Sequence, residues 1–345
     1  MDPLPGIDVA TLEPWLSAHI DGAVPPFSFE LFAAGGSNLT YRVTDAAGMA
    51  RVLRRPPVGR ALETAHDMER EVRIIEALHT HGVVPVPACL GYCDDPAVTG
   101  APFSVLAFVD GIVLRTTADT AGFTSAQAGT ATDALVATQV AMHTLDLDAV
   151  GLGDLGRHDG YVARQLRRWR RQIDHVALRP LPLLDELHDR LVATIPPERA
   201  RPALAHGDYR FDNVILTADL GVAAVLDWEL CTTGDPIADF AWSIRYWADP
   251  GDPLGWLPDA PTLAPVFPRR SEVVDRYAAA TGFDLSDLGW YEVFSWWKQA
   301  CIVEGVHARR RRGATGGMRG GDVASIAARV DTMLAIAHDL AAHRL

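Results

Sequence analysis

The sequence predicts an α+β fold in two lobes: an N-terminal antiparallel sheet with one helix, then a mostly helical C-terminal lobe. Three observations carry this. Short strand-like runs broken by Gly and small residues fill the first part of the chain. Helical periodicity dominates after Gly111. The change between the two patterns falls near residues 109–112, dividing the chain into an N-terminal lobe at 1–108, which begins with a helix, and a C-terminal lobe at 109–345.

Each element has its own sequence reason. Residues 8–20 place Val9, Leu12, Leu16 and Ile20 at roughly helical spacing, and Pro25-Pro26 ends that region. FSFELF (27–32), NLTYRV (38–43) and MARVLR (49–54) read as strands, because AAGGS and TDAAG between them are hairpin breaks. A polar, Pro-containing loop follows at 55–64. Residues 66–79 then predict a helix with Met68, Val72, Ile75 and Leu78 on one face. CLGYC (89–93) and FSVLAFVDG (103–111) complete a five-stranded sheet. Beyond Gly111, helices are predicted at about 124–144, 160–175, 183–193, 236–248, 270–280, 289–310 and 322–342, with one small hairpin from VIL (214–216) and VAAVLD (222–227).

Composition narrows the function. With 48% hydrophobic and 22% charged residues in 345, the chain has ordinary globular usage, which excludes disorder for most of it. A net charge of −13 argues against a general nucleic-acid binder, which needs clustered cations. No run approaches the ~18 apolar residues of a membrane helix. The N-terminus MDPLPGIDVA is acidic and unlike a secretory signal, so a soluble, cytoplasmic protein is expected. Cys89, Cys93, Cys231 and Cys301 lack metal or disulfide spacing and read as free thiols, mostly buried. Of 31 Lys and Arg residues only Lys298 is a lysine, so work that usually falls to lysine falls to arginine or to Lys298.

The chemistry is concentrated in His206-Gly207-Asp208-Tyr209-Arg210-Phe211-Asp212-Asn213, followed by VIL and, fourteen residues after Asn213, by Asp227 in VLDWE. Asp-x4-Asn, a strand, then Asp is the order that phosphoryl transfer on kinase-like folds requires. Asp208 would take or orient the proton of an acceptor hydroxyl. Asn213 and Asp227 would hold Mg²⁺ against nucleotide phosphates. Such a reaction needs positioning and charge neutralisation more than covalent help.

HGDYRFDN, LDWE and GDPIADFAW together resemble the aminoglycoside phosphotransferase family, the small-molecule branch of the protein-kinase-like fold, over roughly residues 30–310. The resemblance implies that 1–108 is a nucleotide-binding lobe and that ATP lies between the lobes. It makes AAGGSNLTYRV the nucleotide loop, with Gly36, Ser37 and Asn38 facing phosphate; a plain hairpin turn is the alternative. It makes Arg54 in RVLRR the cation for the α/β-phosphates, where the family usually places Lys or Arg, and Glu71 its partner; Arg55 points to the opposite strand face. Arg210 takes the place of a protein-kinase lysine that reaches the γ-phosphate; a surface arginine or a pair with Asp212 is the alternative. Ala107 and Val109 become the backbone hinge that receives adenine. His206, Asp235 and Asp239 are read as structural, bracing the loop or capping the next helix.

The acceptor is read from charge. Arg164, Arg167, Arg168 and Arg171 share one face of the helix 160–175, which reads as a solvated face or as an anion site. A second run, Arg309 to Arg312, also suits a helix C-terminus. A polycationic aminoglycoside needs convergent carboxylates, for which Asp249, Asp252 and Glu304 are the candidates. VLRRPP, AHDMERE and DYRFDN look most like the group of this family associated with acyl-CoA dehydrogenases, which implies a hydroxyacyl or acyl-CoA-type acceptor. The predicted activity is ATP- and Mg-dependent transfer to the hydroxyl of a small molecule, with no nucleic-acid or membrane partner. The alternatives are an aminoglycoside O-phosphotransferase and a nucleotide-binding regulatory pseudokinase, the latter prompted only by arginine at position 54. A protein kinase fits less well, because GDPIADFAW follows Asp227 with no APE-like element.

Overall fold

The computed structural model describes residues 4–34, 38–58, 65–252, 259–313 and 323–345. These form two compact units. One takes the described residues of Met1–Asp110 and Ala223–Glu229; the other takes those of Gly111–Val222, Leu230–Thr315 and Gly320–Leu345. The segment carrying Asp227 therefore packs with the N-terminal unit, whereas the predicted division assigned all of 109–345 to one lobe. Val225 N–H donating to the Pro85 carbonyl at 2.8 Å is one of its ties there.

The first unit runs α1 (Val9–His19), β1 (Ser28–Ala34), β2 (Leu39–Thr44), β3 (Ala50–Arg55), α2 (Ala65–His81), β4 (Cys89–Cys93), α3 (Pro96–Thr99) and β5 (Phe103–Ala107). The strands form the predicted five-stranded sheet, in the order β1-β2-β3-β5-β4, with every neighbour antiparallel. Alternation sorts its two faces. Leu39, Tyr41, Val43 and Leu53 point into a core that α1 closes with Leu12 and Leu16. On the other face Ser104 donates to Met68 Sδ of α2, and Arg54, paired with Ser104 in register, reaches the same helix. Asp8 starts α1 by accepting from Ala10 N–H at 3.0 Å.

The second unit holds α4 (Ser125–His143), α5 (Tyr161–Val176), α6 (Pro182–Ala193), β6 (Ala203–Ala205) and β7 (Val214–Leu216). After β8 (Val222–Val225), which leads into the Asp227 segment, come β9 (Thr232–Gly234), α7 (Pro236–Ile244), α8 (Arg270–Thr281), α9 (Leu288–Arg311) and α10 (Val323–Arg344). Helix α9 buries Trp290, Tyr291, Val293, Phe294, Trp296 and Trp297 around its whole circumference, so it is the central helix. It packs against Leu166 and Ile173 of α5, Leu184 and Leu187 of α6, and Val330 and Met333 of α10. Three departures from the predicted elements have local causes. The paired strands β6 and β9 are three residues each, too short for a periodic signal. The strand expected at 222–227 stops at Val225, because Asp227 takes φ 65°. Helix α7 ends at Ile244, with Arg245 as its cap. Among the described residues no helix is long and apolar enough to cross a membrane, and all four cysteines are free, three of them buried.

Candidate active site

The His206–Asn213 loop follows β6 and is held from behind by α7. Asp239 accepts from His206 N–H at 3.2 Å and from Gly207 N–H at 2.8 Å. It also meets His143 Nε2 at 3.1 Å, and the other nitrogen of that ring lies 2.6 Å from the Tyr277 hydroxyl. Burial opposes the Asp239 charge, but His143, His206 and the Gly207 N–H outweigh it and hold the carboxyl below its ordinary pKa. Asp235 caps α7, accepting from Ile237 N–H and Ala238 N–H, and takes the Tyr291 hydroxyl at 2.7 Å. Gly207 sits at φ +87°, and a Cβ there would stand 2.9 Å from Leu230 Cβ and 3.0 Å from its carbonyl oxygen. Only glycine fits that turn before Asp208.

On this braced loop Asp208 gathers two hydrogen-bond donors and one ion-pair partner. Asn213 Nδ2 donates to its backbone carbonyl at 2.8 Å and to Oδ2 at 3.2 Å. Trp242 Nε1 donates to Oδ1 at 3.4 Å, and Arg210 Nε stands 3.3 Å from Oδ2. The side chain keeps 25% of its exposure, so the carboxylate is aimed but accessible. Arg210 also pairs with Asp212 at 2.8 Å and lies 5.0 Å over the Tyr246 ring. Burial works against its charge, yet Tyr246, Asp208 and Asp212 hold the guanidinium pKa above its ordinary value. Asp212 is pushed up to about 6, chiefly by burial; Arg210 opposes the shift and Asp208 adds to it. Asp208, Arg210 and Asn213 are thus brought together.

The first unit assembles a second cluster. Arg54 bonds Glu71 through Nη1 and Asp227 Oδ1 through Nη2, the latter at 3.0 Å. Burial disfavours the Arg54 charge, but Glu71, Asp227 and Glu229 together raise its pKa. Asp227 has φ 65°, a conformation that Asp tolerates better than most side chains but that still stores strain. Asn38 Nδ2 donates to Glu229 at 3.2 Å. Arg55 is buried on the other strand face, where it bonds the carbonyls of Gly6, Pro56 and Thr99. Gly36 and Ser37 lie outside the described residues. Ala107 N–H is taken by the Ala88 carbonyl at 2.8 Å, which restricts that residue to its carbonyl as a ligand contact; Val109 makes no backbone hydrogen bond among the described residues.

Next to the His206–Asn213 loop lies a cleft of about 280 Å³ whose walls include Arg115, Arg210, Phe211, Asp212, Tyr246 and Trp247. Nothing local in the sequence marks it, because its walls come from distant stretches of chain. The carboxylates considered for a polycation are matched by cations instead. Asp249 and Asp252 face Arg270 at 3.6 and 3.2 Å, and Glu304 is fully buried between Arg179 and His307 at 3.2 and 2.9 Å. Trp242 and Lys298 were not among the residues expected near Asp208. The Trp242 contact follows the GDPIADFAW motif, and Lys298 is marked only by being the single lysine.

A five-stranded antiparallel sheet followed by a helical unit with an Asp-x4-Asn loop defines the kinase-like fold of small-molecule phosphotransferases. The chain belongs to the phosphotransferase enzyme family, whose family model matches residues 28–291. A candidate aminoglycoside phosphotransferase from Ralstonia eutropha superposes with a TM-score of 0.81 at 30% identity, covering 97% of this chain and 98% of that one. A GDP and kanamycin complex of the aminoglycoside phosphotransferase APH(2″)-IIIa shares the fold at a TM-score of 0.61 and 15% identity, over 96% and 99% of the two chains. In sequence the chain is 34% identical to acyl-CoA dehydrogenase family member 11 of Gallus gallus over 88% of its own length, and 32% identical to family member 10 of Mus musculus over 86%. It spans only 40% and 28% of those proteins.

Proposed function

We propose that this phosphotransferase is an ATP- and Mg²⁺-dependent kinase that phosphorylates the hydroxyl of a hydroxyacyl or acyl-CoA-type small molecule. The observation that carries the reading is the Asp208 carboxylate, fixed by Asn213, Trp242 and Arg210 on a loop braced by Asp239. In the proposed step the acceptor oxygen bonds to the γ-phosphorus, the bond to the β,γ-bridging oxygen breaks, and ADP leaves. The hydroxyl proton passes to Asp208. Arg210 neutralises the transferring group, and Arg54, held by Glu71, receives the α/β-phosphates; each has a buried Nε with no hydrogen-bond acceptor among the described residues. Gly36, Ser37 and Asn38 are assigned to the phosphate loop, and the Ala107 carbonyl and Val109 backbone to adenine.

The donor set suits Mg²⁺. The two Asn213 Nδ2 bonds to Asp208 leave its Oδ1 as an acceptor, and Arg54 takes only one oxygen of Asp227. Two hard oxygen ligands, completed by phosphates and water, are how this ion is usually held. Among the described residues no group of three or more His, Cys, Asp or Glu could hold a metal by itself. The bound ion supplies neutralisation of charge between the phosphates. A reducing, cytoplasmic setting suits the four free thiols.

The acceptor assignment rests on charge and on the relatives. Asp249, Asp252 and Glu304, the carboxylates considered for a polycationic antibiotic, are paired with cations, while the cleft beside Arg210 sets Arg115 and aromatic walls next to Asp212 and Asp259. The relatives described as acyl-CoA dehydrogenase family members point the same way. The test is phosphoryl transfer from γ-labelled ATP to hydroxy acids, hydroxyacyl thioesters and aminoglycosides, read by mass spectrometry. A labelled hydroxyacyl product, lost by about 100-fold or more in Asp208→Asn with Mg-ATP binding retained, is expected. Kanamycin turnover without hydroxyacyl turnover overturns the acceptor. Mg-ATP binding with no product from any acceptor favours a regulatory nucleotide-binding protein instead, the reading that arginine at position 54 prompts.

A further inference from the structure

The single lysine of the chain stands in an unusual place. Lys298 projects from α9 so that its Nζ lies 4.3 Å from the centre of the Trp242 ring. The same indole donates its N–H to Asp208. The ammonium and the proposed base therefore meet the same indole, one over its face and the other at its N–H edge. Among the described residues Nζ makes no hydrogen bond and no ion pair with a carboxylate; its recorded partner is the face of Trp242. A cation–π contact satisfies a cation only in part, since it leaves the ammonium's three N–H groups without acceptors.

The surroundings sharpen the point. Arg245 also lies over the Trp242 ring, 3.7 Å from its centre, and Arg168 of α5 contributes to the same field. Opposing them are the carboxylates of Asp208 and Asp239. Burial, with the two arginines, lowers the Lys298 pKa to about 8, while Asp239 and Asp208 raise it. A protein that has arginine at every other cationic position keeps here the compact charge with three rotatable donors. A guanidinium fork matches a carboxylate in two parallel bonds, whereas an ammonium meets a single carbonyl or carboxyl oxygen from a wide range of directions.

We infer that Lys298 recognises the acceptor, donating to an oxygen on its carboxyl carbon, in a free carboxylate or a thioester, while the hydroxyl a few carbons away reaches Asp208. This rests on the kinase reading above and narrows it: the acceptor's hydroxyl and carboxyl carbon are separated by a short spacer. Lys298 sets which alcohol is accepted, and Trp242 couples its position to that of Asp208.

Having one lysine makes the test direct. Protein grown with ¹³Cε-lysine gives a single side-chain resonance, which is followed while short hydroxycarboxylates with the hydroxyl two, three or four carbons from the carboxyl carbon are added. Their thioesters form a second arm, and alcohols of equal length lacking the carboxyl carbon form the control. A saturable shift with one spacer, absent with the alcohol, is expected, and the midpoint of the lysine titration should rise in the complex. The free-acid and thioester arms decide which form is bound. In steady-state assays Lys298→Met should reduce the kcat/KM preference for that acceptor over the plain alcohol by about 10-fold or more, mainly through KM. No saturable shift with any hydroxycarboxylate or thioester overturns the assignment, even if the enzyme phosphorylates one of them. A saturable shift with no phosphoryl transfer leaves the Lys298 site standing and removes the kinase reading instead.

Discussion

Arg210 shows how one residue answers to two partners at once. It stands 3.3 Å from Asp208 and 2.8 Å from Asp212, so the Asp212 pairing given as the alternative is present, and the contact with the γ-phosphoryl is the proposed role. If it neutralises the transferring phosphoryl, Arg210→Ala should lower kcat by about 10²-fold or more while the Kd for Mg-ATP stays within a few fold. An unchanged kcat removes the role. Asp212 supplies a pH signature. Its pKa is about 6 in the folded chain, above the value of an unfolded aspartate, so the folded state binds more protons between pH 4 and 6. The Asp212 contribution to stability is therefore most favourable below pH 4 and is lost as pH rises to 6. The Tm of wild type relative to Asp212→Asn should fall across that window and level off above it; a flat difference means that burial does not raise this carboxyl. The residue types of the loop were readable as chemistry, because each must be Asp, Asn or Arg to act. The Arg54 and Glu71 pairing was expected from the family resemblance, with strand alternation setting Arg54 apart from Arg55.

At the scale of elements, α7 does two jobs with two aspartates. Asp235 caps its first turn and Asp239 reaches back to the loop. Asp235→Ala should cost about 1–2 kcal/mol by chemical denaturation, with the loss of a cap and of the Tyr291 contact. Asp239→Ala should cost more, about 3–5 kcal/mol, because it strips His143, the buried His206 N–H and the half-buried Gly207 N–H of their acceptor. Equal costs for the two variants count against the bracing role. The sheet, α1, α2 and the long helices were legible because their apolar spacing repeats over enough residues to be seen. Strands β6 and β9 were not, since three residues carry no period and their pairing joins segments far apart in sequence.

At the scale of the whole molecule, charge is distributed against the net value. The chain carries −13, yet Arg167, Arg168 and Arg171 line the exposed face of α5. Helix α5 is strongly amphipathic, with Val162, Leu166 and Ile173 buried. The structure splits the stripe: Arg168 lies near enough to Lys298 to act on its charge, while Arg164 donates to the Arg157 carbonyl. Replacing Arg167 and Arg171 together by Ala should leave kcat/KM within about twofold, as for other solvated charges; a larger loss makes the whole face an anion site. Carboxylates placed by sequence near a substrate pocket met a different fate, because arginines from other helices neutralise them.

The sequence by itself pointed to the family through the resemblance of its motifs, to the longer strands and helices through their periodicity, and to the residue types of the proposed transfer chemistry through motif spacing. Tertiary structure decided which of those residues meet. Asp227 joins Arg54 in the N-terminal unit rather than the helical one, Glu304 is spent on Arg179, and Lys298 comes to rest on Trp242 beside Asp208. Contacts such as Lys298 with Trp242 join positions far apart in the chain, and only the packing of α7 and α9 fixes them.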